Sequence, residues 1–260
     1  MKTKKFIILI TIFIALIGIR YHYIKSNHVI KEGSTSTIQE SYDRDGGGSI
    51  LLEVEETDIN KDKEEIIFTY TPLPKEVIEK ITGISYKEND NVKIEDLSYL
   101  QVTYWGFDDK EYIGEIIVNT KVAGEVIEIF KELHQAKFPI EKIRLIDEYD
   151  ANDDLSMADN NSSAFCYREI VGSSNKLSNH SYGMAIDINP VQNPYIKKNI
   201  ILPEAGTEYL ERENIRKGMI VKGDVCYNAF KSRGWTWGGE WKTLKDYQHF
   251  ELNITDIENR

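Results

Sequence analysis

The chain has 260 residues, 41% hydrophobic and 29% charged, with a mean hydropathy of -0.43, values of a folded water-soluble protein that exclude a disordered tail and a polytopic membrane protein. Its formal charge is -11, yet six basic side chains, Lys2, Lys4, Lys5, Arg20, Lys25 and Lys31, precede the first acid, Glu32, so residues 32–260 carry 26 basic and 43 acidic side chains, net -17. So acidic a body repels a phosphate backbone and excludes nucleic acid as a partner, while two cysteines, Cys166 and Cys226, exclude a disulfide-dense mini-protein and a four-cysteine zinc site.

The amino terminus is basic and then apolar: three lysines in the first five positions lead into a run from Phe6 to Ile19 broken only by Thr11. That is an export signal. Extended through Tyr21 and Tyr23 to Ile24, with Arg20 snorkelling, it spans 19 residues, about 28 Å of helix and close to a bilayer core. Two readings stand, a cleaved signal peptide with secretion and an uncleaved anchor in the cytoplasmic membrane. The second is favoured, because Leu16-Ile17-Gly18-Ile19 offers a cleavage site only Gly18. No cysteine follows the run, which excludes a lipoprotein, and the basic flank puts everything after residue 25 outside. Residues 1–25 are thus a signal or anchor, and residues 26–64, acidic and holding Ser34-Thr35-Ser36-Thr37 and Gly46-Gly47-Gly48, a flexible stalk.

A single folded domain is expected over residues 65–260. Ile66 to Tyr70 reads as a strand, and Pro72 and Pro74 open a short helix through about Ile81. Val102–Trp105 and Ile113–Val118 read as strands around turn residues Gly106, Asp108 and Asp109. Val122, Val126, Ile129, Phe130 and Leu133 recur at helical spacing, which predicts one amphipathic helix on a sheet. Ile143–Ile146 looks like another strand, residues 147–164 read as a long polar loop, and a helix carrying Cys226 should end near Gly234. The class is α+β, a small antiparallel sheet with flanking helices.

From Gly183 to Ile188 the sequence alternates: Met184, Ile186 and Ile188 would face a core, while Gly183, Ala185 and Asp187 share the opposite face. An acid flanked by the two smallest residues on its own face is a carboxylate with space kept clear around it. A second strand, Tyr247–Leu252, puts His249 and Glu251 on one face and Phe250 and Leu252 on the other. Neighbouring strands could present Asp187 and His249 side by side, with His180 arriving from the preceding loop. Two imidazoles and a carboxylate make a catalytic zinc set with a fourth position left for water. The plainer reading, that each histidine only satisfies a local hydrogen bond, suits His22, His28 and His134.

The pattern S-x-H-x-x-G-x-A-x-D at Ser178, His180, Gly183, Ala185 and Asp187, followed by D-x-x-H at Asp246 and His249, resembles the zinc D-alanyl-D-alanine carboxypeptidase and L-alanyl-D-glutamate endopeptidase family. Asn160 to Phe165 with Arg168, Gly172-Ser173-Ser174, and Gly234 to Trp241 are similar to its endopeptidase-type branch, so that the resemblance extends over roughly residues 65–252. It implies the fold shared by these peptidases and hedgehog signalling domains, zinc bound by His180, Asp187 and His249, Asp246 as general base, and Arg168 placed to bind the substrate carbonyl. The implied substrate is the stem peptide of bacterial peptidoglycan. The overall pattern and Trp-rich segment favour an L-Ala-D-Glu endopeptidase over a D-Ala-D-Ala carboxypeptidase. A zinc module without catalysis is opposed by the intact Asp246 and Arg168.

The remaining candidates are supporting ones. Ser178 either hydrogen-bonds the substrate or shapes its loop. Glu251 is placed to fix the His249 imidazole. Trp235, Trp237 and Trp241 suit core and cleft wall. Cys166 and Cys226, in an exported protein, could form a disulfide pinning the arginine loop.

Overall fold

Three strands, β1 (Phe68–Pro72), β2 (Leu97–Trp105) and β3 (Glu111–Asn119), form an antiparallel meander in that order, in a computed structural model that describes residues 66–170 and 176–253. The expected signal or anchor and the stalk lie outside the described residues. Among those described, no helix is long and apolar enough to cross a membrane. The short helix α1 (Lys75–Ile81) follows Pro74, and α2 (Thr120–Gln135) begins where the Asn119 side chain accepts the Lys121 N–H at 3.1 Å, an N-cap that satisfies an otherwise unpaired donor. The stripe expected on α2 is buried: Val126, Ile129 and Phe130 have no solvent exposure and pack with Leu100 and Val102 of β2. Each such side chain contributes about 1.5–3 kcal/mol on burial.

Residues 147–164 correct the expectation of a loop. Ile146–Tyr149 forms a 3-10 turn closed by Asp150 in the left-handed conformation, α3 (Asp153–Ala158) follows, and β5 (Asn161–Ser162) pairs in parallel with β4 (Lys142–Ile143). The strand expected over Ile143–Ile146 is cut short by that turn. Polar groups rather than an apolar stripe order this region. Asn152 caps α3 by accepting the Leu155 N–H, and Asn161 accepts the Arg144 N–H and donates to the Arg144 carbonyl. Ser156, Asn160, Asn161, Ser162 and Ser163 are all buried.

The sheet that bears Asp187 and His249 has the order β6-β11-β9, with β6 (Ala185–Asp187), β11 (His249–Glu251) and β9 (Thr236–Trp237) antiparallel. Its alternation is as expected: Met184, Ile186, Ile188 and Phe250 are fully buried, and Phe250 stacks on Phe230 of α4 (Val225–Lys231) with ring centroids 4.0 Å apart. Beside it, β10 (Lys245–Asp246) pairs with β7 (Tyr195–Lys197), which forms a hairpin with β8 (Ile200–Leu202). The architecture is α+β, small antiparallel sheets with few helices.

Both cysteines are buried and free, so the disulfide that export would allow is absent. Cys226 lies in the apolar core among Phe230 and Trp235, whereas the Cys166 backbone is engaged with the turn that bears His180. Burial pushes both thiols above their usual range, Cys166 to about 11.

Candidate active site

Ser178 caps a 3-10 turn, Asn179–Tyr182, its Oγ accepting the His180 N–H at 3.3 Å. Of its two expected roles, the geometry displays loop shaping. Gly183 closes the turn at φ 64°, and a Cβ there would lie 2.5 Å from the Asn119 nitrogen. Only glycine fits that approach. Asn119 N–H donates to the Gly183 carbonyl and its side chain to the Tyr182 carbonyl, so the end of the meander fixes the position of His180.

The antiparallel register pairs His249 with Asp187. His180, Asp187 and His249 are buried and offer ligand atoms within 4.8 Å of one another. His249 Nδ1 lies 2.9 Å from Asp187 Oδ1 and 3.2 Å from His180 Nε2, and His180 Nε2 lies 3.2 Å from Asp187 Oδ2. The outer ring nitrogens are both taken. His180 Nδ1–H donates to the Ala164 carbonyl at 2.5 Å and His249 Nε2–H to Glu251 Oε2 at 3.1 Å. A carbonyl only accepts, so His180 has its proton on Nδ1, leaving the Nε2 lone pair turned inward; Glu251 directs His249 Nδ1 the same way. Two lone pairs and a carboxylate converging at these distances repel one another without a cation, and two nitrogens with one oxygen suit zinc. The residues therefore fit the metal.

Electrostatics tells the same story from the protonation side. Burial alone would raise Asp187, but the two imidazoles outweigh it and hold the carboxyl well below the usual range. Burial likewise opposes the charge on His249, and the Asp187 and Glu251 carboxylates overcome it, raising the imidazole to about 10. Without metal, the Asp187 and Glu251 carboxylates therefore favour the protonated His249 imidazole. Glu251 is itself lowered despite burial by His249 and by Asn179, whose amide donates to Oε2 at 2.6 Å. Glu251→Ala is expected to weaken zinc binding by roughly 10- to 100-fold, the usual effect of deleting a ligand's outer hydrogen bond; competition with a chromogenic chelator reads it, and unchanged affinity would count against this role.

Asp246 stands three residues before His249 on β10. A Cβ on Gly238 would lie 2.4 Å from the Asp246 carbonyl oxygen, so the turn at 238–240 presses directly on this residue. Asp246 Oδ1 is out of solvent contact and has no hydrogen-bond partner among the described residues. Burial raises its carboxyl to about 7, with His249 pulling it down and Asp187 pushing it up. A buried carboxyl with a raised pKa that feels the charge of two candidate ligands has the properties of a proton-transfer group.

Arg168 is held at both ends. Its N–H donates to Ser181 Oγ at 2.9 Å, the same hydroxyl donates to its carbonyl at 2.7 Å, and its Nη2 meets Asp153 Oδ2 at 2.7 Å. Burial would lower this guanidinium, but Asp153 and Asp187 raise it. Of the tryptophans, Trp235 and Trp237 are nearly inaccessible, Trp237 donating to the Tyr247 carbonyl at 2.8 Å. They are wall rather than readers, and Trp241 stands with its ring centroid 5.4 Å from that of His249. His134, away from the cluster, bonds Glu111 at 2.5 Å, the plain role expected of it.

All the predicted site residues among His180, Asp187, His249, Glu251 and Ser178 are linked by direct contacts, with Arg168 and Asp246 coupled electrostatically to Asp187. Asn179, the Ala164 carbonyl and Asp153 were not foreseen. Asn152 before two acids is a helix-start signal that could have pointed to Asp153. No solved structure matches the chain. Residues 171–252, which include every motif residue from Ser178 to Glu251 and exclude Arg168, match the family model described as D-alanyl-D-alanine carboxypeptidase, the family whose resemblance the two motifs carry.

Proposed function

We propose that the protein is a zinc peptidase of the D-alanyl-D-alanine carboxypeptidase and L-alanyl-D-glutamate endopeptidase fold that hydrolyses stem peptides of bacterial peptidoglycan. The observation that carries the reading is the convergence of His180 Nε2, Asp187 and His249 Nδ1, buried and within 4.8 Å of one another, with the Asp246 carboxyl feeling the charge of both His249 and Asp187. His180, Asp187 and His249 would hold the metal. Zinc bound there supplies a Lewis acid that polarises the scissile carbonyl and makes water a nucleophile near neutral pH. Asp246 takes the proton of the attacking water on Oδ1 and delivers it to the leaving amine, work for which a pKa near 7 is suited. Arg168 meets the negative charge that develops on the carbonyl oxygen. Glu251 keeps the His249 ring in the orientation that presents Nδ1.

Within this reading the bond cut is L-Ala-D-Glu, which requires a site open to chain on both sides. Arg168 is assigned to the scissile carbonyl, so a terminal carboxylate would need a further cation beside it. The second reading, cleavage of D-Ala-D-Ala, is favoured by the description of the matching family. The catalytic part acts outside the cytoplasmic membrane, held there by residues 1–25 or secreted after their removal; the location of peptidoglycan supports this. The test is incubation of the zinc-loaded chain with purified peptidoglycan and mass analysis of the muropeptides. Peptides freed by cleavage after L-Ala are expected. Loss of only a terminal D-Ala selects the second reading, and no cleavage by the zinc-loaded chain defeats both.

A further inference from the structure

Asp153 lies in the first turn of α3, in the polar stretch 147–164, where a helix start favours an acid but the candidate metal cluster calls for none. Its Oδ2 sits 2.7 Å from Arg168 Nη2, and both side chains are about one-third exposed at most, 34% and 27%. Arg168 Nε is out of solvent contact and donates to nothing among the described residues. The Arg168 main chain is clamped by Ser181 and by the Ser178 N–H, which donates to its carbonyl. Backbone and tip are thus both fixed, and the backbone clamp is the turn that bears His180. A guanidinium on a long flexible stem loses several rotatable bonds of freedom when it is pinned. Charge-assisted pairing to a carboxylate on a neighbouring helix removes that freedom before substrate arrives.

We propose that Asp153 is a positioning residue that holds the Arg168 guanidinium in the orientation in which it receives the substrate carbonyl. The role of Arg168 rests on the peptidase reading; the immobilisation of Arg168 by Asp153 does not. Asp154, the next residue in the same turn, is exposed and supplies the control, since Asp154→Asn removes an equal charge from the same helix end without touching Arg168.

The experiment uses the full chain labelled with nitrogen-15 arginine. Its Arg168 Nε–H resonance, assigned by its loss in Arg168→Lys, is expected to exchange slowly with water in the wild type and in Asp154→Asn, and to merge with the fast-exchanging arginines in Asp153→Asn. In muropeptide hydrolysis Asp153→Asn should lower kcat about tenfold or more with KM within about threefold, the pattern of an interaction realised in the transition state. Asp154→Asn should leave both unchanged. In an Arg168→Ala background, Asp153→Asn should cost nothing further. A slow Nε–H that survives in Asp153→Asn, or additive losses in the double variant, overturns the proposal. A wild type that cleaves no muropeptide defeats the peptidase reading instead, and the resonance then decides on Asp153 alone.

Discussion

Asp246→Asn is expected to keep its zinc and lose hydrolysis, with kcat falling by about 10²- to 10⁴-fold, the range attached to a positioned acid–base group. The substitution preserves size and leaves His180, Asp187 and His249 in place, so metal stoichiometry should be unaltered. What it removes is the one carboxylate oxygen at the site that is buried without a partner. Stability should not account for the loss. The Asp246 carboxyl is raised to about 7 by burial, so its neutral form favours the folded state, and that contribution disappears as pH rises from about 4 through about 7. Above pH 7 the wild type therefore keeps a poorly solvated charge that the amide does not, and Asp246→Asn should melt at an equal or higher temperature. This is the expected exchange between activity and stability at a catalytic group. Zinc content by atomic absorption, melting temperature and muropeptide turnover are to be measured on the same preparation; undiminished turnover would remove Asp246 from the mechanism.

The His180, Asp187 and His249 cluster was legible because period-two patterning is a strong signal in short strands. Met184, Ile186 and Ile188 reading as core left Asp187 no choice but the opposite face, and Phe250 did the same for His249. The observed His249 to Asp187 register joins the two inferences. The stretch 147–164 was illegible for the opposite reason. Its order comes from Asn152 capping α3 and Asn161 bracketing Arg144, contacts that leave no hydrophobic period. Asp153 was hidden with it. The state of the cysteines stayed open in the sequence because export allows a disulfide without requiring one: Cys226 is committed to the apolar core and Cys166 to the segment beside His180.

Zinc should raise the melting temperature of the chain, and by more at higher pH. At zinc about a thousandfold above its Kd the stabilisation is about 4 kcal/mol, roughly 10 °C for a folded unit of this size. The pH trend follows from the protons that metal must displace. Without metal, His249 is raised to about 10 by Asp187 and Glu251, so its stabilisation is fully present below about 6.5, the unfolded value, and is lost as pH rises through about 10. Asp187, held far below its usual range by the imidazoles, contributes stability that is present above about 3.9 and lost only in strong acid. Asp246 acts in the same direction as His249 up to about pH 7. The metal-free chain should therefore melt at progressively lower temperature from about pH 6 to pH 10. Zinc takes the place of the proton on His249 Nδ1, so the bound form escapes most of that decline and the gap between the two forms widens. Asp187→Asn should abolish the zinc shift, because the remaining imidazoles lack the anionic ligand. Calorimetry of the full chain with zinc or with chelator across this pH range is the check. A metal-free melting temperature that rises with pH, or a zinc shift that narrows, would mean that the cluster does not hold its proton where the metal must bind.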